Sequence, residues 1–508
     1  MTYHKYWADM HSNIHSHQMK DLEKWFQAAR DLLDFWPVAY YPYHMSKTET
    51  GLPVEDLIDR KSMDADWNAI CAFTDEANKK GYPMFAGYEW QGDGSDGDHN
   101  VFMLHNNELM LHPEKYADLK AGYAGHQVIA IPHHIAYQRG SRGKNWDTHD
   151  EVFSPFAEIY SSHGSSENDD GPFLMQRHVH MGPRTGMTCY EEGLNRGYIC
   201  GCIASGDNHD MPAVYGNGLM CALAESTRKE DIWDALISRR VYGVSDSRIE
   251  VDYEIDGHPM GSVISPGRKH LCFDIRGTSA VDRIEILKNN VLDEMIVHSG
   301  TWEKQMLTGN VTFKISFQFG WGPDTRIYPD MLMHLWSGCI HTEGKILSVE
   351  KCWHHYEEKI RQISSNTVQF DLTTWQSGKS DKWMANDSAV PEGFILEMEA
   401  PADSSIRLDV NGISTEIPVR DALRTSRIIP CTMEAQELIR SHWGDTAFYR
   451  DDSWWHNTYK IKVSKAYPES SYTVHCERDL DLDRGDEVRL RIFQKNGHAA
   501  WTSPVFIR

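Results

Sequence analysis

The chain has 508 residues, which at roughly 150 residues per domain is length for about three ordinary domains or two large ones, so burying a core is no obstacle. Its 51 Lys and Arg against 74 Asp and Glu leave a net charge of −23, with no basic run able to track a phosphate backbone, which excludes nucleic acid as an expected partner. Mean hydropathy is −0.55 and no unbroken stretch of about 18 apolar residues occurs, so no membrane span is expected.

The opening MTYHKYWADMHSN has no apolar h-region, so no secretion signal is expected. The first half then alternates short apolar runs with helical patterns. Strands are predicted at Trp7–Met10, Trp36–Tyr41, Met84–Trp90, Asn100–His105, Gln127–His134, Phe156–Ser161 and Tyr198–Ser205. Between them, Leu22, Trp25, Phe26, Ala29, Leu32 and Leu33 recur at helical spacing within Asp21–Phe35, and Trp67, Ile70 and Phe73 do so within Asp64–Lys80, which stops at Gly81. Lys229–Arg240 reads as a further helix, acidic early and basic late. This alternation predicts a parallel α/β barrel domain over residues 1–248.

From residue 249 onward the pattern changes to period two. Ile249–Asp256, Lys269–Arg276, Arg283–Lys288, Val311–Phe319, Val368–Thr374, Phe394–Glu399 and Tyr459–Val463 alternate apolar and polar residues, and Asn411-Gly412 and Asn496-Gly497 mark hairpins. A β-sandwich is predicted for 249–508, with an insertion around 321–367 whose EEKIRQI piece looks helical. The ten cysteines are scattered, without a CxxC pair, and read as free thiols of a reducing cytoplasm.

Histidine is abundant, 27 in all, with sixteen before residue 211, and metal-binding residue types gather at the ends of the first-half strands. They are Asp9, His11, Asn13, His15 and His17; Glu89 in GYEW; His99 in GDHNVF; His133 and His134 in IPHH; His163 in IYSSHG; and Asp207 and His209 in SGDNHD. A lone DxH or PHH is more often structural than ligating. Six such pieces, each closing a strand, read differently, because the C-terminal ends of parallel barrel strands converge on one mouth. Imidazole and carboxylate there suit Zn, Mn or Fe. Glu158, on a strand, is expected to orient a ligand from behind.

The order of these motifs resembles the PHP superfamily of metal-dependent hydrolases. WADMHSN, FAGYEW, HNVF, IPHHIAYQRGSRGKNW, AEIYSSHGSSE, SGDNH and DALISRRVYGVSDSRI resemble its DUF3604 branch, as does the ending IFQKNGHAAWTSPVFIR. The resemblance implies a distorted (β/α)7 barrel. By that likeness His11 is the first ligand, Glu89 the carboxylate bridging metals, and His99 and one of His133 and His134 imidazole ligands, with Asp207 and His209 as the closing DxH. Two departures stand out. Asn13 replaces the second His of the opening motif and Tyr41 the His that closes strand two; Asn is a weak ligand and neutral Tyr a poor one. One or two divalent metals are therefore expected rather than three, with His15, His17 or His44 as substitutes.

Directly after His134, residues 137–146 carry Arg139, Arg142 and Lys144 and no acid, ending in Trp146. Beside a presumed ligand, this basic loop is expected to bind an anion, since guanidinium forks match phosphate oxygens. The expected function is metal-dependent hydrolysis of an ester, a phosphoester of a small anionic substrate with sugar derivatives among the candidates, with water made acidic by the metal. Glu89 and the metal ligands would assemble the centre, Arg139 or Arg142 would offset developing charge, and His163, Tyr40 or Tyr41 would protonate the leaving oxygen. The rivals are another reaction at the same metals (lactone, amide or sulfate-ester hydrolysis, or a carbohydrate lyase) and a degenerate barrel that only binds carbohydrate.

Overall fold

The strands that carry the candidate ligands are short and buried. In chain order they are β1 (His4–Ala8), β2 (Asn13–His15), β3 (Trp36–Tyr41), β4 (Tyr43–Lys47), β5 (Pro53–Leu57), β6 (Met84–Trp90), β7 (His99–Met103), β8 (Val128–Pro132), β9 (Phe156–Ser161), β10 (Gly164–Ser165), β11 (Gly201–Ala204), β12 (Leu219–Ala224) and β13 (Val241–Val244). Every residue of β3, β6, β7 and β8 is buried, as near-continuous apolar runs covered on both faces require. The helices α1 (Leu22–Leu32), α2 (Arg60–Lys79), α3 (Tyr116–Gly122), α4 (Tyr190–Asn195) and α5 (Lys229–Ile237) turn their apolar stripes inward. Trp25, Phe26 and Ala29 of α1 and Trp67 and Ile70 of α2 join one core with Trp36 and Tyr88. Asp59 caps α2 by accepting from the Ser62 amide at 3.0 Å.

This computed structural model describes residues 3–106, 108–169, 173, 185–300, 302, 308–321, 333–355, 357–375, 391–443 and 458–508. The chain forms two units, the first from Met1–Gly277, Val281–Val297 and Val474–Arg508, the second from Thr278–Ala280 and His298–Thr473. The break expected at 248/249 falls inside the first unit, because the C-terminal strands return to it. Ala499–Thr502 pairs with β13, Tyr242 opposite Thr502, and extends the sheet that starts β1-β12-β13.

The expected all-parallel barrel is not what the strands form. β2, β3 and β6 are parallel, as are β9 and β11, but β7 runs antiparallel to both β6 and β8, and β12 runs antiparallel to both β1 and β13. Residues 91–98 alone join β6 to β7, fewer than the dozen or so that a parallel crossover needs. The ladders lie in separate sheets, with no closed hydrogen-bonded ring among the described residues. Side chains and loops bridge them instead. Asp9 accepts from the amides of His11 (3.0 Å), Gly206 (2.8 Å) and Ala213 (2.9 Å) and from the Ser12 hydroxyl (2.7 Å). Gly206 has to be glycine, since a Cβ would sit 2.6 Å from Asp9 Oδ2. The Asn13 amide donates to the Asn208 carbonyl at 2.9 Å, which fixes the loop after β11 against β2.

The second unit is built from two antiparallel sheets. Lys345–Cys352, Glu392–Pro401, Asn310–Gly320, Lys460–Val463 and Arg427–Pro430 form one; Lys359–Ser364, Thr367–Trp375, Met333–Thr342, Ser405–Val410 and Ile413–Pro418 form the other. Phe319 meets Trp336 and Phe370 across them, with ring centroids 5.4 and 4.9 Å apart, so the sheets face each other over an aromatic core. Asn411 and Gly412 both take positive φ, 46° and 78°, as a tight hairpin turn demands. The EEKIRQI piece is no helix: Lys359–Ser364 is a strand folded onto Thr367–Trp375 through Ser365-Asn366. Of the expected insertion, residues 322–332 and 356 lie outside the described residues. Among the described residues no helix is long and apolar enough to cross a membrane, and all ten cysteines are free thiols.

Candidate metal centre

His11, just past β1, is the hub of a buried cluster. Its Nδ1 lies 2.9 Å from Glu158 Oε2 on β9, which turns Nε2 toward Asp207 Oδ1 at 3.4 Å and Glu89 Oε2 of β6 at 3.5 Å. The His133 ring, at the end of β8, is 4.1 Å away. Three sets of donor atoms converge to within 4.8 Å: His11, Glu89 and His133; His133, His134 and Asp207; and His11, Glu158 and Asp207. His163 closes the far side, with Nε2 3.0 Å from Asp207 Oδ2 and Nδ1 2.7 Å from Tyr137 Oη. His134 and Asp207 are both held at positive φ, 34° and 46°, a strain that accumulates where side chains must be aimed.

The electrostatics follow from burial and mutual proximity. Burial alone would lower the His11 imidazole, but Asp207 and Glu158 outweigh it and hold the group well above its usual range. Burial alone would raise the Asp207 carboxyl, but the imidazoles of His11, His163 and His134 hold it well below. His133 is pushed well down by burial, with His11 and His134 adding to it. Several polar atoms are left over. Both ring nitrogens of His133, Asn13 Oδ1, Glu158 Oε1 and Asp98 Oδ1 are buried without a hydrogen-bond partner among the described residues. Such orphans are rare and costly in proteins, and here they lie in one small region that holds four carboxylates and four imidazoles. That donor set fits a divalent transition metal, whose charge would satisfy the lone pairs.

The other expected ligands fall outside the three converging sets. His15 Nε2 contacts His209 Nδ1 at 2.8 Å beside the Tyr41 ring, a partly exposed pair outside the three converging sets. Asn13 donates Nδ2 to Glu89 Oε2 at 2.9 Å, steadying that carboxylate. His99 is corrected: its Nε2 is 3.1 Å from the Lys144 ammonium and its Nδ1 2.9 Å from the Gly97 carbonyl. An ammonium only donates, so Nε2 must accept and is taken. Trp90 and Tyr116 flank the ring at 5.7 and 4.9 Å.

Tyr40 and Tyr41 point to opposite faces of β3, as neighbours in a strand must. Tyr40 donates to Asp66 Oδ2 of α2 at 2.7 Å and is removed from the cluster, which corrects its expected role as a proton donor. Tyr41 donates to Glu55 of β5 and accepts from Gln91 Nε2 at 3.2 Å; the same Gln91 reaches Glu89 Oε1 at 3.0 Å.

The basic loop is likewise not an open anion site. Arg139, half exposed, pairs with Asp147 at 2.7 Å. The Trp146 indole is core and donates to the Thr188 and Cys189 carbonyls, both at 3.1 Å. Only Arg142 borders the cluster: Nη1 donates to Asp98 Oδ2 at 2.9 Å and Nη2 to Glu55. Asp98 also lies 3.5 Å from His134 Nε2, and burial, with Glu89 and Asp207 adding, raises its carboxyl well above the usual range. Sequence reasoning passed over Asp98, Glu55, Gln91 and Tyr137. For Asp98 a signal existed, an acid directly before His99.

Lys144 provides a test of this packing. Burial pushes its ammonium from 10.5 down to about 8. A lysine depressed in the folded state burdens stability fully below pH 8, and the burden lifts as pH rises toward 10.5, where the unfolded chain also deprotonates. Lys144→Met should therefore gain most over the parent at neutral pH, and its advantage should shrink by about 3 kcal/mol by pH 10.5. Urea unfolding of both proteins across that pH range measures the gap; a constant gap would mean that Lys144 is not buried as described.

No family model matches the chain. Curated relatives include an uncharacterized protein of Chlamydia pneumoniae, 26% identical over 251 residues covering 44% of this chain and 39% of that protein. Another uncharacterized protein, from Chlamydia trachomatis serovar D, is 26% identical over 191 residues, 34% of this chain and 30% of its own. The chain thus spans well under half the length of these relatives. Among solved structures it is similar to a two-domain protein of Bacteroides vulgatus ATCC 8482 described as containing a predicted PHP-like metal-dependent phosphoesterase. That likeness has 13% identity, covers 82% of this chain and 95% of the other, and has a TM-score of 0.30.

Proposed function

We propose that the His11 cluster holds one or two divalent transition metals, Mn, Zn or Fe, and that the protein hydrolyses a phosphoester of a small anionic substrate. The observation that carries this reading is the convergence of His11, Glu89, His133, His134, Glu158 and Asp207 around buried, unpartnered nitrogen and oxygen atoms. The motif order, which resembles the PHP superfamily, supports the reaction class. When bound, the metal supplies Lewis acidity and makes water acidic enough to attack at neutral pH.

The chain's own residues do the rest. Glu158 fixes the His11 ring with Nε2 inward, and Asn13 and Gln91 hold the two oxygens of Glu89 in place. His163, gripped between Asp207 and Tyr137, is the imidazole placed to pass a proton to the leaving oxygen, with Tyr137 Oη as the relay behind it. Arg142 is the cation at the edge. Its guanidinium is shared between Asp98 and Glu55, and a phosphoryl group entering the site would compete with the Glu55 carboxylate for it.

Metal analysis and assay of the purified protein test both halves. About one or more tightly held metals per chain and turnover of phosphomonoesters or phosphodiesters are expected. Turnover of lactones, amides or sulfate esters instead would move the reaction to another class at the same centre. Less than about one metal per chain, unchanged by Asp207→Ala, would reject the centre itself.

A further inference from the structure

We propose a second metal site, independent of the first, on the outer face of the sheet containing Glu250–Ile255, Gly267–Arg276 and Thr473–Leu482, with Cys272, Asp274 and His475 as ligands to zinc or a similar divalent cation. A sulfur of Cys272, an oxygen of Asp274 and a ring nitrogen of His475 lie within 4.8 Å of one another. Backbone geometry places them there. Leu271, Phe273 and Ile275 are buried, so Cys272 and Asp274, two residues apart, share the opposite, outward face. His475 comes from the neighbouring strand, with Nδ1 2.9 Å from Asp274 Oδ1.

The surroundings argue for a cation. His475 beside Asp274 and His270 beside Asp479, at 3.1 Å, set the strands so that Glu477 lies across from Cys272. On the other side, the register partner of Cys272 is Glu254. Glu477 Oε1 lies 3.4 Å from the other nitrogen of the His475 ring, Nε2. Asp274, Glu254 and Glu477 thus crowd one thiol, and like charges facing each other across strands are unfavourable. The nearby bases serve other acids: Lys5 pairs with Asp252 at 2.6 Å and Arg268 with Asp479 at 2.9 Å. Among the described residues no Lys or Arg pairs with Asp274, Glu254 or Glu477. A thiolate, an imidazole and carboxylates form the mixed set that prefers zinc or cobalt over magnesium or calcium. Bound there, the ion would clip Thr473–Leu482 to Gly267–Arg276, at the point where the chain returns to the first unit.

Cobalt(II) titration of the full, reduced chain tests the site, because the His11 cluster contains no thiol. A thiolate-to-cobalt charge-transfer absorption should appear and be displaced by zinc. It should vanish in Cys272→Ser and persist in Asp207→Ala, and His475→Ala should weaken cobalt binding by at least about tenfold, the smaller loss seen when even a supporting residue of a metal site is removed. Cys272 and His475 are partly or fully exposed, and circular dichroism confirms that each variant, Asp207→Ala included, is folded. Absence of the absorption at saturating cobalt, or its survival in Cys272→Ser, overturns the proposal without bearing on the His11 centre.

Discussion

Asp207→Ala is expected to strip the His11 centre of metal and to lower kcat/KM for phosphoester hydrolysis by at least about a hundredfold, the upper end of what loss of a merely supporting partner costs. Asp207 belongs to two of the three converging donor sets and touches His11 through one oxygen and His163 through the other. Its removal takes away a proposed ligand and the counter-charge of two imidazoles at once. Asp207→Asn keeps the shape and loses the charge, so it should be nearly as inactive. Glu158→Gln is a milder control: it still accepts from His11 Nδ1, so orientation survives while the charge behind the ring is lost. Metal content measured beside rate separates the effects, since a variant that keeps its metal and still loses activity would locate Asp207 in proton handling. pH gives a further check. His11 is held above its usual range in the metal-free cluster, so its contribution to stability is full below about pH 6.5 and is lost as pH rises through the folded value. A metal needs the neutral ring, so uptake should release protons and weaken as pH falls.

Much of this centre was legible because strand ends were legible. β3, β6 and β9 begin and end where their apolar runs do, and His133, His163 and Asp207 follow such ends within a few residues. What could not be read was decided by contacts that leave no mark on local pattern. A one-residue step along β3 sends Tyr40 to α2 and Tyr41 to the hairpin of β4 and β5, and both faces are equally apolar. His99 carries every sign of a ligand until Lys144, forty-five residues on, covers its nitrogen. The antiparallel turn from β6 into β7 was visible in principle, since residues 91–98 hold no helix. The return of the C-terminal strands was not: Tyr242 and Thr502 pair across half the sequence, and alternation alone cannot say which sheet a strand joins.

That return depends on one buried ion group, and breaking it should cause the largest loss of stability. Arg489 is fully buried on Glu487–Gln494; Nη1 donates to Glu167, and Nη2 to Glu191 Oε1 at 2.8 Å and Asn290 Oδ1 at 3.2 Å. Glu167 also accepts from the Trp501 indole at 2.9 Å, so the carboxylate that follows β10 binds two of the returning strands. Arg489→Met leaves buried Glu167 with only Arg491, 3.6 Å from its Oε1, for counter-charge, and a loss at the lower end of about 3–5 kcal/mol is expected. The midpoint of urea unfolding measures it, and protease should then cut first within 474–508. Adding Glu167→Gln removes the stranded charge, so the double variant should recover much of that loss. If the double variant is as unstable as the sum of its parts, the strands are held by their ladders and apolar core, and the ion group only fixes their register.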